Sequence, residues 1–344
     1  MSDERPEPDR IPGHPHPRET GRLVGQAAAE RAFLDAWRAG RLHHAWLLRG
    51  PRGVGKATLA YRIARALIAS PVEPQAAGLF GAPAADPVPD TLDAPEGCPV
   101  LARIRAGAEP RLAVLRRGIN DQGRPYTVIR IDEVRDLRRF LGLSAADGGW
   151  RAVIVDAADE MNVPAQNAIL KLLEEPPART AFLMVSHAPS ALLPTIRSRC
   201  RTLDLAPLAP GDLAAALAGT GAPVAEAARA ALAELAGGSV GAALRLIEGD
   251  GLDLCRRIVA ALAGPAGVDR PAILALADAV SARGAEARYA LALDLILTVT
   301  GRLARHAAGR PPDAEAARGE AALAARVATR PAQAVVWAEA AARI

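Results

Sequence analysis

A glycine-rich turn that ends in a lysine is the first group of residues in this chain that could do chemistry. Three glycines come before Lys56 in the stretch GPRGVGKAT, at Gly50, Gly53 and Gly55. In such a loop, backbone N–H groups surround phosphates at a helix N-terminus, and the lysine reaches the terminal phosphates. The stretch predicts a nucleotide-binding loop. The alternative is a relic loop that keeps its fold and binds nothing.

The same loop lacks a group that nucleotide hydrolysis needs. A hydroxyl is expected directly after the lysine to hold Mg²⁺, but that position is Ala57. Thr58 comes one residue later, which is about 100° further round a helix, so it is a poor substitute.

A second departure follows the apolar run RAVIV, which ends in Asp156. Where ATP-hydrolysing proteins of this architecture have a glutamate that polarises water, this chain has Ala157, and Asp159 and Glu160 come too late. Together, these two departures predict a chain that does not hydrolyse ATP.

An arginine motif, Ser198-Arg199-Cys200, is the third candidate. In an extended stretch, Arg199 would share one face with Arg197 and Arg201. A purely structural interpretation is an edge strand whose positive charges prevent pairing with another chain. After a short helix in a phosphate-loop domain, an exposed arginine instead predicts a finger offered to a phosphate.

The segment LKLLEEPP contains Lys171. The sequence has two lysines, and Lys56 is the other. Two glutamates at the end of a helix oppose its macrodipole, so local stability explains them poorly. Lys171 and Glu175 are four residues apart, in the weaker orientation for an ion pair. Either a structural ion pair or a contact with another subunit would account for the segment.

The elements that must position these residues alternate. Strand patterns cover 44–48, 112–115, 127–131, 151–155 and 180–186, and helical patterns cover about 25–39, 56–69, 134–143 and a helix capped by Asn162. This alternation predicts an α/β domain with a mostly parallel sheet. After Pro207 the strand signal disappears, and three helical patterns precede about five more.

Composition divides the chain further. Residues 1–18 carry five prolines among charges, which predicts a flexible tail, and 71–99 is a Pro-rich insertion within a domain at 19–206. Residues 207–249 and 250–344 are predicted to form two helical domains.

Charge and cysteine content exclude several classes of protein. The net charge is +4 over 344 residues, far from a dedicated nucleic-acid stripe. Three separated cysteines rule out a disulfide framework, and no apolar run is long enough to span a membrane. We expect a cytoplasmic protein without a membrane partner.

Several motifs together resemble the delta-prime subunit family of the bacterial DNA polymerase III clamp loader. They are Leu23-Val-Gly-Gln26, the segment 42–48, the loop 50–58, LKLLEEPP at 170–177, and Ser198-Arg199-Cys200. The resemblance implies an AAA+ P-loop domain, a small helical lid and an all-helical collar that oligomerises. It also implies a stator that hydrolyses no ATP, with Arg199 presented to the ATP site of a neighbouring subunit.

The resemblance further implies partners. These are gamma/tau-like ATPase subunits and a delta subunit in a hetero-pentameric ring, which acts on a sliding clamp and primer-template DNA within the DNA polymerase III holoenzyme (a DNA-directed DNA polymerase).

Two departures from the family pattern bear on cofactors. Members commonly carry four zinc-binding cysteines where this chain has only Cys98, so we predict no zinc. The ATPase members also place an arginine in the lid where this chain has Gly241, which favours the stator. No cofactor is expected to be required, although ATP or ADP binding without hydrolysis remains open for Lys56, Thr58 and Asp156.

Two rival functions remain. An ATP-hydrolysing motor subunit of the same complex would depend on Lys56 and Asp156. A basic DNA-binding protein with a vestigial loop would show salt-sensitive DNA binding.

Overall fold

The computed structural model describes residues 7, 10–70, 88–94, 97–142, 148–222, 224–264, 267–282 and 284–343. The chain divides into two compact units, Met1–Ala206 and Pro207–Ile344. Of the Pro-rich insertion predicted at 71–99, residues 71–87, 95 and 96 lie outside the described residues. Among the helices of the described part, none has both the length and the apolar character needed to cross a bilayer.

A five-stranded parallel sheet forms the centre of the first unit, in the order β2-β3-β4-β1-β5. Its strands are β1 (Ala45–Arg49), β2 (Leu112–Leu115), β3 (Arg151–Val155), β4 (Thr180–Ser186) and β5 (Arg201–Asp204). Strands β3 and β4 are buried along their whole length, so both faces of the sheet are covered. The predicted α/β class is confirmed.

Six helices accompany this sheet within the described residues of the first unit. They are α1 (Ala27–Arg38), α2 (Lys56–Ala69), α3 (Pro99–Arg105), α4 (Ile131–Gly142), α5 (Val163–Glu174) and α6 (Pro194–Ser198). Helix α2 has the predicted bounds and buries Leu59, Ile63 and Leu67 at helical spacing. Helix α5 begins as predicted, since Asn162 Oδ1 accepts a hydrogen bond from the Ala165 N–H at 3.0 Å.

The strand predicted at 127–131 is wrong. Ile129 forms only a bridge to Met161, and α4 already begins at Ile131. The Glu133 carboxylate accepts the Arg130 N–H at 2.8 Å, which turns the chain into the helix before a strand can extend.

The flexible tail predicted for 1–18 needs correction over 10–18. His16 is fully buried and meets the Tyr61 ring edge-on, with the ring centroids 5.6 Å apart. Arg65 of α2 donates to the main-chain oxygens of Pro17, Arg18 and Thr20 at 2.8–3.2 Å. The segment is ordered because a buried guanidinium binds its carbonyl groups, a contact that its composition does not reveal.

Helices and the loops that connect them make up the described part of the second unit. Its helices are α7 (Pro210–Gly219), α8 (Glu226–Ala236), α9 (Val240–Glu248), α10 (Gly251–Leu262), α11 (Arg270–Val280), α12 (Glu286–Ala307), α13 (Glu320–Val327) and α14 (Pro331–Ala342). The three-plus-five pattern of helices is confirmed. The division into a lid and a collar remains a prediction.

A buried ion-pair cluster joins three of these helices. The side chain of Arg302 in α12 is only 2% exposed. It donates to Glu234 of α8 at 2.7 Å, to Glu320 of α13 at 3.0 Å and to the Ala314 carbonyl at 2.6 Å. Burial on its own would lower the pKa of Arg302, but the hydrogen bonds and charges of Glu320 and Glu234 raise it above its ordinary value.

Candidate functional site

The glycine-rich loop lies between β1 and α2, at the carboxyl end of the sheet. Gly50, Gly53 and Gly55 all have positive φ, at 147°, 79° and 99°. The first is also fixed by packing, because a Cβ at Gly50 would lie 2.2 Å from the Leu205 carbonyl oxygen. The loop therefore has the backbone shape that predicts a phosphate cradle.

Residues of the Leu23–Gln26 motif support this loop from outside. Gln26 is buried and donates to the Val54 carbonyl at 3.2 Å and to the Ala206 carbonyl at 2.8 Å. A Cβ at Gly55 would lie 2.6 Å from the Leu23 side chain. Sequence reasoning gave Gln26 no role, although its motif contributed to the family resemblance.

Lys56 points back into its own loop. Its Nζ donates to the Gly50 carbonyl at 2.7 Å and to the Pro51 carbonyl, and the residue is 3% exposed. Burial lowers the pKa of Lys56 to about 8, and the carboxylates of Asp156 and Asp159 offset only part of that shift. The lysine is close to the loop, as a phosphate-binding role requires, but neutral carbonyls hold it.

Asp156 follows β3 and is near enough to Lys56 to affect its pKa. The two displaced acidic residues have other partners. Asp159 Oδ1 accepts the His187 N–H at 2.8 Å, and Glu160 pairs with Arg52 at 3.1 Å. Both carboxylates are thus engaged in contacts other than the activation of water.

A second arginine reinforces the contact to Glu160, since Arg117 lies 3.0 Å from its carboxylate. His187, directly after β4, is half-buried and lies beside these charged groups. Burial is the main cause that lowers the pKa of His187 to about 4. The cations Lys56 and Arg52 contribute to this shift, and the carboxylate of Asp159 offsets part of it. His187 is therefore a neutral imidazole at pH 7, so no imidazolium is present there to act as a general acid.

A nucleotide needs groups that bind its phosphates, and its hydrolysis also needs groups that hold a metal ion. The positive-φ glycines, the N-terminus of α2 and Lys56 fit a phosphate. The residue after Lys56 supplies no hydroxyl for a metal ion, and half-buried Thr58 sits one position further along α2. The residues fit phosphate binding better than they fit metal-assisted hydrolysis.

Arg199 lies directly after α6, away from the loop in sequence and at a partly exposed position. Its side chain is 37% exposed; Nη1 donates to the Thr195 carbonyl at 3.0 Å, and Nη2 lies 2.8 Å from Glu174. Because α6 runs to Ser198, the single extended face proposed for Arg197, Arg199 and Arg201 is wrong. Proline at the first position of α6 favours the helix instead.

The other two residues of the motif have local roles. Ser198 Oγ bonds to the Thr195 carbonyl at 3.1 Å. Burial raises the pKa of the Cys200 thiol to about 12, and its Sγ contacts Met184 Sδ at 3.7 Å. Because the thiol stays protonated at neutral pH, Cys200 is not a nucleophile. Its role is to pack against the sheet.

Helix α5 contacts the segment before α6 and the arginine motif after it. At its first turns, Gln166 accepts the Leu193 N–H at 2.8 Å and donates to the Ala191 carbonyl at 3.3 Å. At its last residue, Glu174 pairs with Arg199. Sequence reasoning missed both contacts, although the two glutamates at a helix C-terminus were an available signal for the second.

Lys171 is exposed and, within the described residues, forms no ion pair with Glu175. The structural ion pair is therefore wrong, and the subunit contact stays a prediction.

In the described part of the chain, no group of three or more His, Cys, Asp or Glu residues is arranged to hold a metal ion. The absence of zinc stays a prediction as well.

Comparisons with known proteins match this chain to subunits of DNA polymerase III. A family model described as "DNA polymerase III, delta subunit" matches residues 25–209. The DNA polymerase III delta-prime subunit of Pseudomonas aeruginosa is 41% identical over 157 residues, which cover 46% of this chain and 41% of that relative. The delta-prime subunit of Escherichia coli is 33% identical over 233 residues, covering 67% of this chain and 62% of the relative.

A gamma/tau subunit of DNA polymerase III from Mycobacterium bovis is also similar, at 30% identity over 202 residues. That match covers 59% of this chain and 31% of the relative. The chain thus spans about two fifths to three fifths of the length of the two delta-prime relatives.

Proposed function

Because the chain belongs to the delta-prime subunit family of DNA polymerase III clamp loaders, we propose that it is the non-hydrolysing stator of such a complex. In this role it offers Arg199 in trans to the ATP site of a neighbouring gamma/tau-like subunit. The ring would contain five subunits, including a delta subunit, and would load a sliding clamp onto primer-template DNA in the cytoplasm. The chain itself would require no cofactor.

One contrast supports this proposal. Arg199 is 37% exposed beside a helix end, whereas the acidic residues near the chain's own loop are occupied by Arg52, Arg117 and the His187 N–H. A guanidinium at a neighbour's site stabilises the charge that develops on a transferred phosphoryl group. The guanidinium of Arg199 is thus accessible enough to contact a phosphate on another subunit.

The arrangement of the loop supports the absence of hydrolysis. A catalytic base must come within hydrogen-bond reach of the attacking water. Asp159 and Glu160 are held by other groups, and Ala57 supplies no hydroxyl for Mg²⁺. A bound nucleotide would have to displace the contacts of Lys56 with its loop carbonyls, and this chain would not turn it over.

The test is reconstitution with gamma/tau-like and delta subunits, followed by measurement of ATP turnover. Arginine fingers supply about 10³–10⁵ in rate to other nucleotide hydrolases. Arg199→Ala should therefore abolish the part of the turnover that depends on this chain. Arg197→Ala is the matched control, since it removes the same charge from an exposed position two residues away.

Two results would contradict the proposal. Turnover of the Arg199→Ala complex equal to that of the Arg197→Ala complex would rule out the trans finger. Turnover by the purified chain that Lys56→Met abolishes would show instead that it is a motor subunit.

A further inference from the structure

The carboxylate of Glu174 holds the guanidinium of Arg199 in the structure. Glu174 is the last residue of α5, and its Oε1 lies 2.8 Å from Nη2 of Arg199. The other terminal nitrogen, Nη1, donates to the Thr195 carbonyl at 3.0 Å. Two acceptors on two different elements, α5 and α6, therefore bind the two terminal nitrogens of the same side chain.

Two contacts at separate nitrogens fix the plane of a guanidinium, because the group is rigid and planar. They use two of its five N–H groups, so three donors remain for a ligand. A side chain held in this way is oriented and can still bind a phosphate. An arginine without the second contact would rotate about its flexible stem.

The position of Glu174 in its helix gives no local reason for a carboxylate. The C-terminal end of a helix carries partial negative charge, which disfavours an acidic side chain there. The neighbouring Glu175 experiences the same dipole and is also exposed, but the described residues show no ion pair to it. Of the two glutamates, Glu174 is the one that contacts Arg199.

We propose that Glu174 is the positioning residue for Arg199, holding it ready for the terminal phosphate of a nucleoside triphosphate bound by the neighbouring subunit. This inference rests on the finger function proposed above. The side chains are 37% and 47% exposed, so water screens the pair and the hold is reversible. The arginine can then exchange the carboxylate for a phosphate, which offers more acceptor oxygens.

The experiment uses the full chain in the reconstituted complex and measures kcat and KM for ATP. Glu174→Ala should lower kcat about two- to fivefold, the range that the strength of an exposed ion pair allows, with little change in KM. Glu174→Gln keeps an acceptor oxygen and should recover part of that loss. Glu175→Ala is the matched control and should match the unmodified complex.

A double-variant cycle shows whether Glu174 acts through Arg199. Glu174→Ala should have no further effect once Arg199→Ala is present, since the residue to be positioned is gone. Size-exclusion chromatography of each complex verifies folding and assembly, so a lower kcat is not read from unassembled protein.

Each outcome separates this inference from the function on which it rests. If Arg199→Ala lowers turnover but Glu174→Ala equals Glu175→Ala, the positioning role is wrong and the finger stands. An additive effect of the two substitutions would lead to the same conclusion. If Arg199→Ala leaves turnover unchanged, both the finger and its positioning residue are wrong.

Discussion

Arg199 in the first unit and Arg302 in the second are the same side chain in two different electrostatic settings. Arg199 is 37% exposed and contacts one carboxylate and one carbonyl. Arg302 is 2% exposed and contacts the carboxylates of Glu234 and Glu320 as well as a carbonyl.

The difference shows what each arginine can do. An exposed ion pair contributes about 0–1 kcal/mol and exchanges partners readily. A buried charge has lost its hydration, so its partners cannot leave without a large cost. Arg302 is therefore suited to fixing three helices together, whereas Arg199 is suited to releasing Glu174 for another anion.

Lys56 extends the comparison to a buried cation that neutral groups bind. Its Nζ donates to two carbonyls, and its pKa falls to about 8, whereas two carboxylates raise the pKa of Arg302. Burial opposes the charge in both cases, and the type of partner decides the direction of the shift.

The largest effect should come from Arg302→Met. It leaves the carboxylates of Glu234 and Glu320 without their cation, and removing one partner of a buried pair costs about 3–5 kcal/mol. Urea unfolding measures this loss of free energy. The control is Arg305→Met, an exposed arginine of the same helix, which should change stability by about 0.5 kcal/mol or less. Equal losses in the two variants would contradict the contrast between Arg199 and Arg302.

A smaller effect should follow from Lys56→Met, and it depends on pH. Between pH 8 and the ordinary lysine value of 10.5, the unfolded chain binds a proton that the folded chain has released. The free energy of unfolding therefore rises with pH in that window because of this group, and the rise is absent below pH 8. Lys56→Met should remove a rise of about 1–2 kcal/mol between pH 8 and 10, as one pKa unit corresponds to about 1.4 kcal/mol.

Urea unfolding at both pH values measures this rise. Lys171→Met is a close control, because it removes the other lysine of the chain from an exposed position. Its pH dependence should match that of the unmodified protein. If Lys56→Met retained the full rise, Lys56 would not be the group that titrates.

The smallest effect on stability should come from Arg199→Ala. The loss should stay within about 1 kcal/mol and should disappear at about 1 M salt, where exposed charges are screened. Urea unfolding at low and high salt detects it. A loss as large as that of Arg302→Met would show that Arg199, like Arg302, stabilises the fold, and would weaken its proposed role in trans.

Local features of the fold were accessible from the sequence. Helix α2 follows the glycine-rich loop with its predicted bounds, and Asn162 caps α5, because capping and periodicity depend on neighbours within a few residues. The strand predicted at 127–131 failed because the local bond from Arg130 to Glu133 competes with extension. Apolar alternation does not register that bond.

Contacts between distant segments were not accessible. Arg65 binds carbonyls of 17–20, and Glu174 meets Arg199 across 25 positions of sequence. No periodicity brings such residues together, since tertiary packing determines their distance. The identities of the candidate site residues were thus readable, whereas their partners and protonation had to come from the structure.

The close approach of Gly50 to Leu205 has an evolutionary consequence. A side chain at Gly50 would collide with main chain, so natural selection for folding would keep this glycine in a lineage that had lost nucleotide binding. Ala57 stands where the motif expects a hydroxyl and supplies none. A glycine-rich loop can therefore persist in descent for packing alone, so its glycines do not by themselves show that a nucleotide is bound.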